Sequence, residues 1–491
     1  MPNEFPSADP GTFVAKPKKK KPVKKTARPT KAKAVSSRAK PKKKAVREVP
    51  VVPAAGPLTV AELFAGVGGF RLGLESAKGG SWKVKWSNQW EPGRKNQFAS
   101  DCYVRHFGAE GHVNDDIAKA LDRYEAKEGT IPDVDMLVGG FPCQDYSVAK
   151  PLNQAAGLVG KKGVLWWQIY RFLELKKKAK RPVRYVLLEN VDRLLKSPGG
   201  QRGRDFAIIL ACLNALGYEV EWRVVNAAEY GFPQRRRRVF IAATQRTKGA
   251  ADAATRITES GILARALPCE RVEGDLFSDD WTTKLDDDIP ELSKSFGRGQ
   301  IVSQFRNAGF MKDSRVWTFD VAPKFSGKKK VLSDIIEPSE DVDESFFVSE
   351  GQVPKWKYLK GAKNEQRVHK ASGTLYYYTE GALPFPDPLD RPARTILTAE
   401  GGSSPSRFKH IIRTPEGRFR RLTPRELERA NGFPDDWTVG MSEGQRAFCM
   451  GNALVVGVVE KIGQVIASVA REAASGKAAN GKKSKGKEAA A

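Results

Sequence analysis

From Leu58 to Ala243 the chain alternates short apolar runs with longer amphipathic ones, and that alternation leaves few folds open. Leu58–Phe64, Trp82–Ser87, Val134–Val138, Val183–Leu188, Glu219–Val225 and Arg238–Ala243 predict strands. Gly69–Ser76, Pro92–His106, Leu165–Lys178 and Asp205–Leu216 predict the helices between them. Repeated strand–helix–strand units give an α/β fold with a mostly parallel sheet covered on both faces. Open sheets of this kind bind ligands outside the carboxyl ends of their strands. The residues just after each apolar run are therefore the ones that can carry chemistry.

Four such segments stand out. Leu63-Phe64-Ala65-Gly66-Val67-Gly68-Gly69 joins a strand to a helix, with glycines that let the backbone approach a ligand and accept positive φ. Its glycines do not have the GxGxxG spacing, and alone it reads as a turn. Met136-Leu137-Val138 runs into Gly140-Phe141-Pro142-Cys143-Gln144, a strand end that lifts one thiol towards a cleft. Tyr185-Val186-Leu187-Leu188 ends in Glu189-Asn190-Val191, a carboxyl at a strand's ligand-binding edge. Gln234-Arg235-Arg236-Arg237-Arg238 opens a strand, so Arg236 and Arg238 share one face and Arg235 and Arg237 the other.

Together, in this order, these segments resemble the DNA (cytosine-5) methyltransferases. The resemblance covers roughly 58–244 and 390–470. It implies an S-adenosylmethionine-dependent, Rossmann-like methyltransferase domain with a smaller inserted target recognition domain. Cytosine C5 is a poor nucleophile, and a thiolate added at C6 turns the ring into an enamine reactive at C5. The resemblance gives that task to Cys143. Glu189 would hold or protonate N3, Arg238 would reach O2 and Arg236 would support the cleft. C5 and C6 cannot be attacked inside the stack, so the base must be flipped out. The stretch 145–164 suits a loop closing over it.

The resemblance also supplies a cofactor set. Phe64, Ala65, Gly66 and Gly68 match the first S-adenosylmethionine motif, and Trp90 the adenine-stacking position, where simple core packing is the plainer reading. Asp116 and Ile117 match the third motif, although Asp116 also reads as a helix N-cap. Leu165, Asn452 and Ala453 complete the set. Gln89 stands where the family usually has an acid for the ribose, so Gln89 or Glu91 makes that contact. Asn452 is also read as the N-cap of a helix running from Ala453 to about Ala473.

Charge points to a polyanionic partner. Net charge is +27, and residues 1–50 alone carry sixteen Lys or Arg against three acids. Segments 1–56 and 474–491 read as disordered basic tails, either solubilising or a non-specific hold on phosphate. Between them we expect a catalytic domain at 57–244, a target recognition domain at 245–390, a hinge and return segment at 391–450 and a completing helix at 451–473. Five scattered cysteines and four histidines give no metal spacing. No membrane span is expected, and the expected setting is cytoplasmic, nucleoid-associated in a bacterium or nuclear in a eukaryote. Duplex DNA is the expected partner, with a cognate restriction endonuclease acting separately. A transfer-RNA cytosine methyltransferase and a catalytically silent DNA-binding protein are the competing readings.

Overall fold

The computed structural model describes residues 56–78, 81–141, 164–247, 249, 252–273, 282–369 and 373–488. Its centre is a sheet whose first seven strands are β1 (Leu58–Leu63), β2 (Trp82–Asn88), β3 (His112–Val113), β4 (Met136–Gly140), β5 (Tyr185–Val191), β6 (Tyr218–Asn226) and β7 (Arg237–Gln245). Helices α1 (Gly69–Glu75), α2 (Phe98–Phe107), α3 (Ile117–Glu125), α4 (Val164–Lys178) and α5 (Arg204–Leu216) make the connections. The spatial order is β3-β2-β1-β4-β5-β7-β6, and β7 is the one reversed strand of the seven. Chain order reverses between β1 and β4, which opens a crevice beyond their carboxyl ends.

Alternation along each strand explains why both faces are dry. Met136, Val138, Tyr185 and Leu187 join Val60, Phe70 and Val84 on one face. Leu137, Val186 and Leu188 join Leu63, Phe172 and Ile209 on the other. Fully burying each such side chain stabilises the fold by about 1.5–3 kcal/mol. The exception in β1 is Glu62, fully buried and pushed up to about 8 by loss of solvent, with the Tyr103 hydroxyl donating to it at 3.1 Å.

The sheet does not stop where the alternation stops. After β8 (Cys269–Arg271) come β9 (Thr282–Lys284), β10 (Ala308–Lys312) and β11 (Arg315–Phe319), and β6 continues outward through β10, β11 and β9. β12 (Val321–Pro323) pairs back on β8. Strands β9 to β11 thus extend the sheet, while β8 and β12 form a separate pair beside it. Later residues form two separate hairpins, β13 (Lys363–Val368) with β14 (Leu375–Glu380) and β15 (Ile411–Arg413) with β16 (Phe419–Arg421).

Two expected helix starts are corrected. Asn452 does not cap a helix: it is the last residue of the helix Glu443–Asn452, which Ser442 caps in a reciprocal box with Gln445. The chain extends at Ala453 and a second helix starts at Val456. A β-carbon at Gly451 would lie 2.3 Å from the Thr398 nitrogen, so this break is fixed by a close backbone crossing. Likewise the helix expected from Pro92 starts at Phe98, because the Gln97 amide binds both backbone groups of Glu91 and holds a turn open.

Within 443–475 one 18-residue stretch is apolar enough to cross a membrane, but the span is broken at 453–455. Its apolar face is instead used on α1. Glycines at 73 and 463 allow the close approach, and Trp82 Nε1 donates to the Gly463 carbonyl at 3.1 Å.

Candidate active site

The strand ends bring three of the sequence-selected groups together. Gly140 pairs with Glu189 across β4 and β5, and Arg238 pairs with Val191 across β5 and β7. Arg238 Nε lies 2.9 Å from Glu189 Oε1, with 17% and 12% of the two side chains exposed. A β-carbon at Gly140 would meet Glu189 Oε2 at 3.5 Å, so the glycine keeps the space beside the carboxyl open. Cys143 lies outside the described residues. Phe141, the last described residue before Pro142, is fixed by the Asn190 amide, which donates to its carbonyl at 2.7 Å. Asn190 was quoted in the sequence only as a neighbour of Glu189; its role is to tie the end of β4 to the end of β5.

Arg236 and Arg238 line the same small pocket with Phe240 and Leu454, as alternation along a strand requires. Their tasks differ. Arg236 is 2% exposed and donates to the carbonyls of Ile396 at 3.2 Å and Gly451 at 2.9 Å. Burial, with the charge of Arg238 beside it, lowers it to about 9. It ties the chain entering β7 to the return segment at Ile396 and Gly451, while Arg238 pairs with Glu189. Of the outward pair, Arg237 meets Asp192 at 2.9 Å and Arg235 is exposed. Gln234 was not singled out. Fully buried, it donates to Asn431 Oδ1 at 3.0 Å and accepts from the Ile396 nitrogen at 3.1 Å.

The glycine turn sits at the end of β1. Phe64, Gly66 and Gly68 have φ of 56°, 56° and 86°, the left-handed region that glycine tolerates and phenylalanine adopts only under constraint. Nothing lies within 4 Å of a β-carbon built on Gly66, so its face is open. Gln89, 7% exposed, accepts from the Gly66 nitrogen at 2.8 Å and so couples the ends of β1 and β2. Glu91 pairs with Arg94 at 2.5 Å. Trp90 is half-buried at the end of β2. Asp116 caps α3, accepting from the Ala118 nitrogen at 2.9 Å, and Ile117 is buried beneath it. Leu165 is half-buried against the core, Ala65 is buried, Asn452 is exposed and Ala453 half-buried. Trp437 Nε1 donates to the Val67 carbonyl at 2.9 Å, so the return segment also roofs this turn.

Cys102, Cys212, Cys269 and Cys449 are free and buried. Burial pushes Cys102 up to about 11 and Cys212 up to about 12, which keeps both thiols protonated and inert. Among the described residues no three or more His, Cys, Asp and Glu gather as metal ligands.

Comparison with known proteins completes the description. The family model for the C-5 cytosine-specific DNA methylase matches residues 58–468. The chain is 47% identical over 418 residues to the Type II methyltransferase M.Sau3AI of Staphylococcus aureus, spanning 84% of this chain and 96% of that protein. It is 25% identical over 416 residues to the Type II methyltransferase M.HhaI of Haemophilus parahaemolyticus, spanning 83% and 93%. A solved Dnmt2 methyltransferase of S. pombe shares the fold, with a TM-score of 0.50 at 14% identity over 84% of this chain and 99% of that one.

Proposed function

This chain belongs to the C-5 cytosine-specific DNA methylase family and is a DNA cytosine-5 methyltransferase; we propose that it acts on a base flipped from duplex DNA, through a covalent bond to Cys143. The observation that carries the proposal is the Glu189–Arg238 pair at adjacent strand ends, next to the Gly140-Phe141 approach to Pro142-Cys143.

In the proposed reaction the Cys143 thiolate adds to cytosine C6. Glu189 holds N3 and Arg238 accepts the developing charge at O2, both positioned before the base arrives. The electron pair pushed to C5 would bond to the donor's methyl group as the carbon–sulfur bond breaks and its pair leaves with sulfur as a neutral thioether. Loss of the C5 proton then expels the Cys143 thiolate and restores the aromatic ring. Arg236 and Asn190 are positioning residues, the first beneath Arg238 and the second behind the Phe141 carbonyl.

S-adenosylmethionine is the proposed donor, and it would supply an electrophilic methyl group. The open face of Gly66 and the crevice between β1 and β4 fit it. Phe64, Ala65, Gly66, Gly68, Trp90, Asp116, Ile117, Leu165, Asn452 and Ala453 are the proposed holders. Gln89 is favoured over Glu91 for the ribose, because the Glu91 carboxylate is already paired with Arg94. With its oxygen engaged by Gly66, Gln89 would meet a hydroxyl through its N–H₂ group.

The Type II relatives support sequence-specific protective methylation, with any partner endonuclease acting separately. Labelled methyl transfer from S-adenosylmethionine to duplex DNA and to transfer RNA tests the reading. Incorporation at C5 of cytosine in duplex DNA alone is expected. Incorporation into transfer RNA alone would overturn it.

A further inference from the structure

The hairpin β13–β14 carries two faces of opposite character. In its register Asn364 pairs with Thr379, Gln366 with Tyr377 and Val368 with Leu375. All six are exposed, Tyr377 at 72%, Leu375 at 60% and Val368 at 56%. No strand or helix of the described residues covers this face.

The other face is tied down. Glu380 binds Lys363 at 3.1 Å and Arg407 at 2.7 Å. The Arg367 guanidinium lies 3.6 Å from the centre of the Tyr378 ring, and the Tyr358 hydroxyl donates to Glu365 at 3.0 Å. The hairpin is therefore held rigidly from behind and presents its front.

Its base is coupled to the active site. Lys360, fully buried just before β13, meets Asp387 at 2.9 Å, and Asp387 meets Arg394 at 2.6 Å. On either side of Arg394, the Ala393 carbonyl accepts from the Arg235 nitrogen at 2.8 Å and the Ile396 carbonyl accepts from Arg236 at 3.2 Å. Polar contacts and the backbone between them thus connect the base of the hairpin to Arg235 and Arg236, just ahead of β7.

We infer that the front face of this hairpin reads base edges in the major groove of the target duplex. The inference rests on the DNA methyltransferase reading above and names where its sequence specificity lies. A two-stranded ribbon fits the major groove, and strands of six residues span about 20 Å. Asn and Gln match the paired donor and acceptor of adenine, Tyr and Thr offer hydroxyls, and Val and Leu suit a thymine methyl. Charge available for phosphate lies on the preceding helix, where Lys355 and Lys357 are exposed. An uncharged reading face flanked by cations is the division of labour between base and phosphate contacts.

The test is methylation of a randomised duplex library, read by bisulfite sequencing, with Asn364→Ala, Gln366→Ala and Tyr377→Ala. Ile301→Ser, at an equally exposed apolar position remote in sequence, is the control. Each hairpin variant should lose about five- to hundredfold in kcat/KM on the wild-type motif and accept new bases at one position of it. S-adenosylmethionine affinity and thermal unfolding should stay at wild-type values, which separates lost reading from lost folding. The control should keep both rate and motif. An unchanged motif in all three variants, whether their rates hold or fall evenly on every sequence, would overturn the inference. A wild-type enzyme that methylates no cytosine in the library would overturn the underlying reading instead.

Discussion

The catalytic sheet and the segment from 332 to 455 that folds back on it each bury a carboxyl, and the two titrate in opposite directions. Glu62 lies in β1, where the Tyr103 hydroxyl donates to it and Arg71 lies near, and burial outweighs both and raises it to about 8. Asp387 lies between Lys360 and Arg394, which outweigh its own loss of solvent and hold it down at about 2. The sheet is held mainly by alternating apolar residues on two faces, and the carboxyls buried in β6, Glu219 and Glu221, are paired with Lys312 and Arg256. The fold-back segment, poor in regular structure, relies on buried charge pairs such as Arg420 with Glu426 and Arg446 with Glu428. A buried charge without a matching cation is costly, whereas a paired one can fix chain that has little regular structure.

The strongest way to break this contrast is to unpair the fold-back segment. Glu426 and Arg420 are at most 1% exposed, and Glu426 also closes a capping box with Thr423. Glu426→Ala should lower stability by about 3–5 kcal/mol, read by urea unfolding. A loss below about 1 kcal/mol would show that apolar contacts hold this segment too.

Glu62 sharpens the other side. Its folded value is raised, so its contribution is fully present below the unfolded value of 4.5 and is lost as pH rises towards 8. Glu62→Gln should abolish that decline and stabilise the protein at pH 8.5 by on the order of 3 kcal/mol. A wild-type unfolding midpoint that stays flat between pH 5 and pH 8.5 would refute it. For Asp387 the sign reverses. Its folded value is depressed, so its contribution is present above 3.8 and is lost as pH falls towards 2. Asp387→Asn should cost about 2 kcal/mol at neutral pH, a gap that narrows over that acid window. A gap that persists at pH 2 would assign the loss to packing.

The sheet region was legible because both faces of its strands are buried, so Met136–Val138 and Tyr185–Leu188 announce themselves as continuous apolar runs. Its proposed catalytic groups Glu189 and Arg238 lie at strand ends, where residue type and position coincide. The sequence concealed contacts made at long range. Gln234, Asn190 and Trp437 bind backbone or side chains that no local pattern reveals. The outer strands β10 and β11 are not marked by continuous apolar runs, but their turn at Asp313-Ser314, with φ of 51° and 62°, is the two-residue left-handed turn of a hairpin. The crossing next to the break after Asn452 was hidden for the same reason as Gln234: Thr398, which packs on Gly451, is 53 residues from it in sequence.

The proposed reaction puts the chemistry on the sheet half, with Cys143 as the proposed attacking group. Incubation with S-adenosylmethionine and duplex DNA carrying 5-fluorocytosine at the target base tests that claim most directly, because fluorine cannot leave C5 as a proton does. The wild-type enzyme should be trapped as an adduct that survives denaturation, and Cys143→Ser should form none while still binding DNA. An active wild-type enzyme that leaves no adduct, or a Cys143→Ser variant that is trapped as well, would contradict the account.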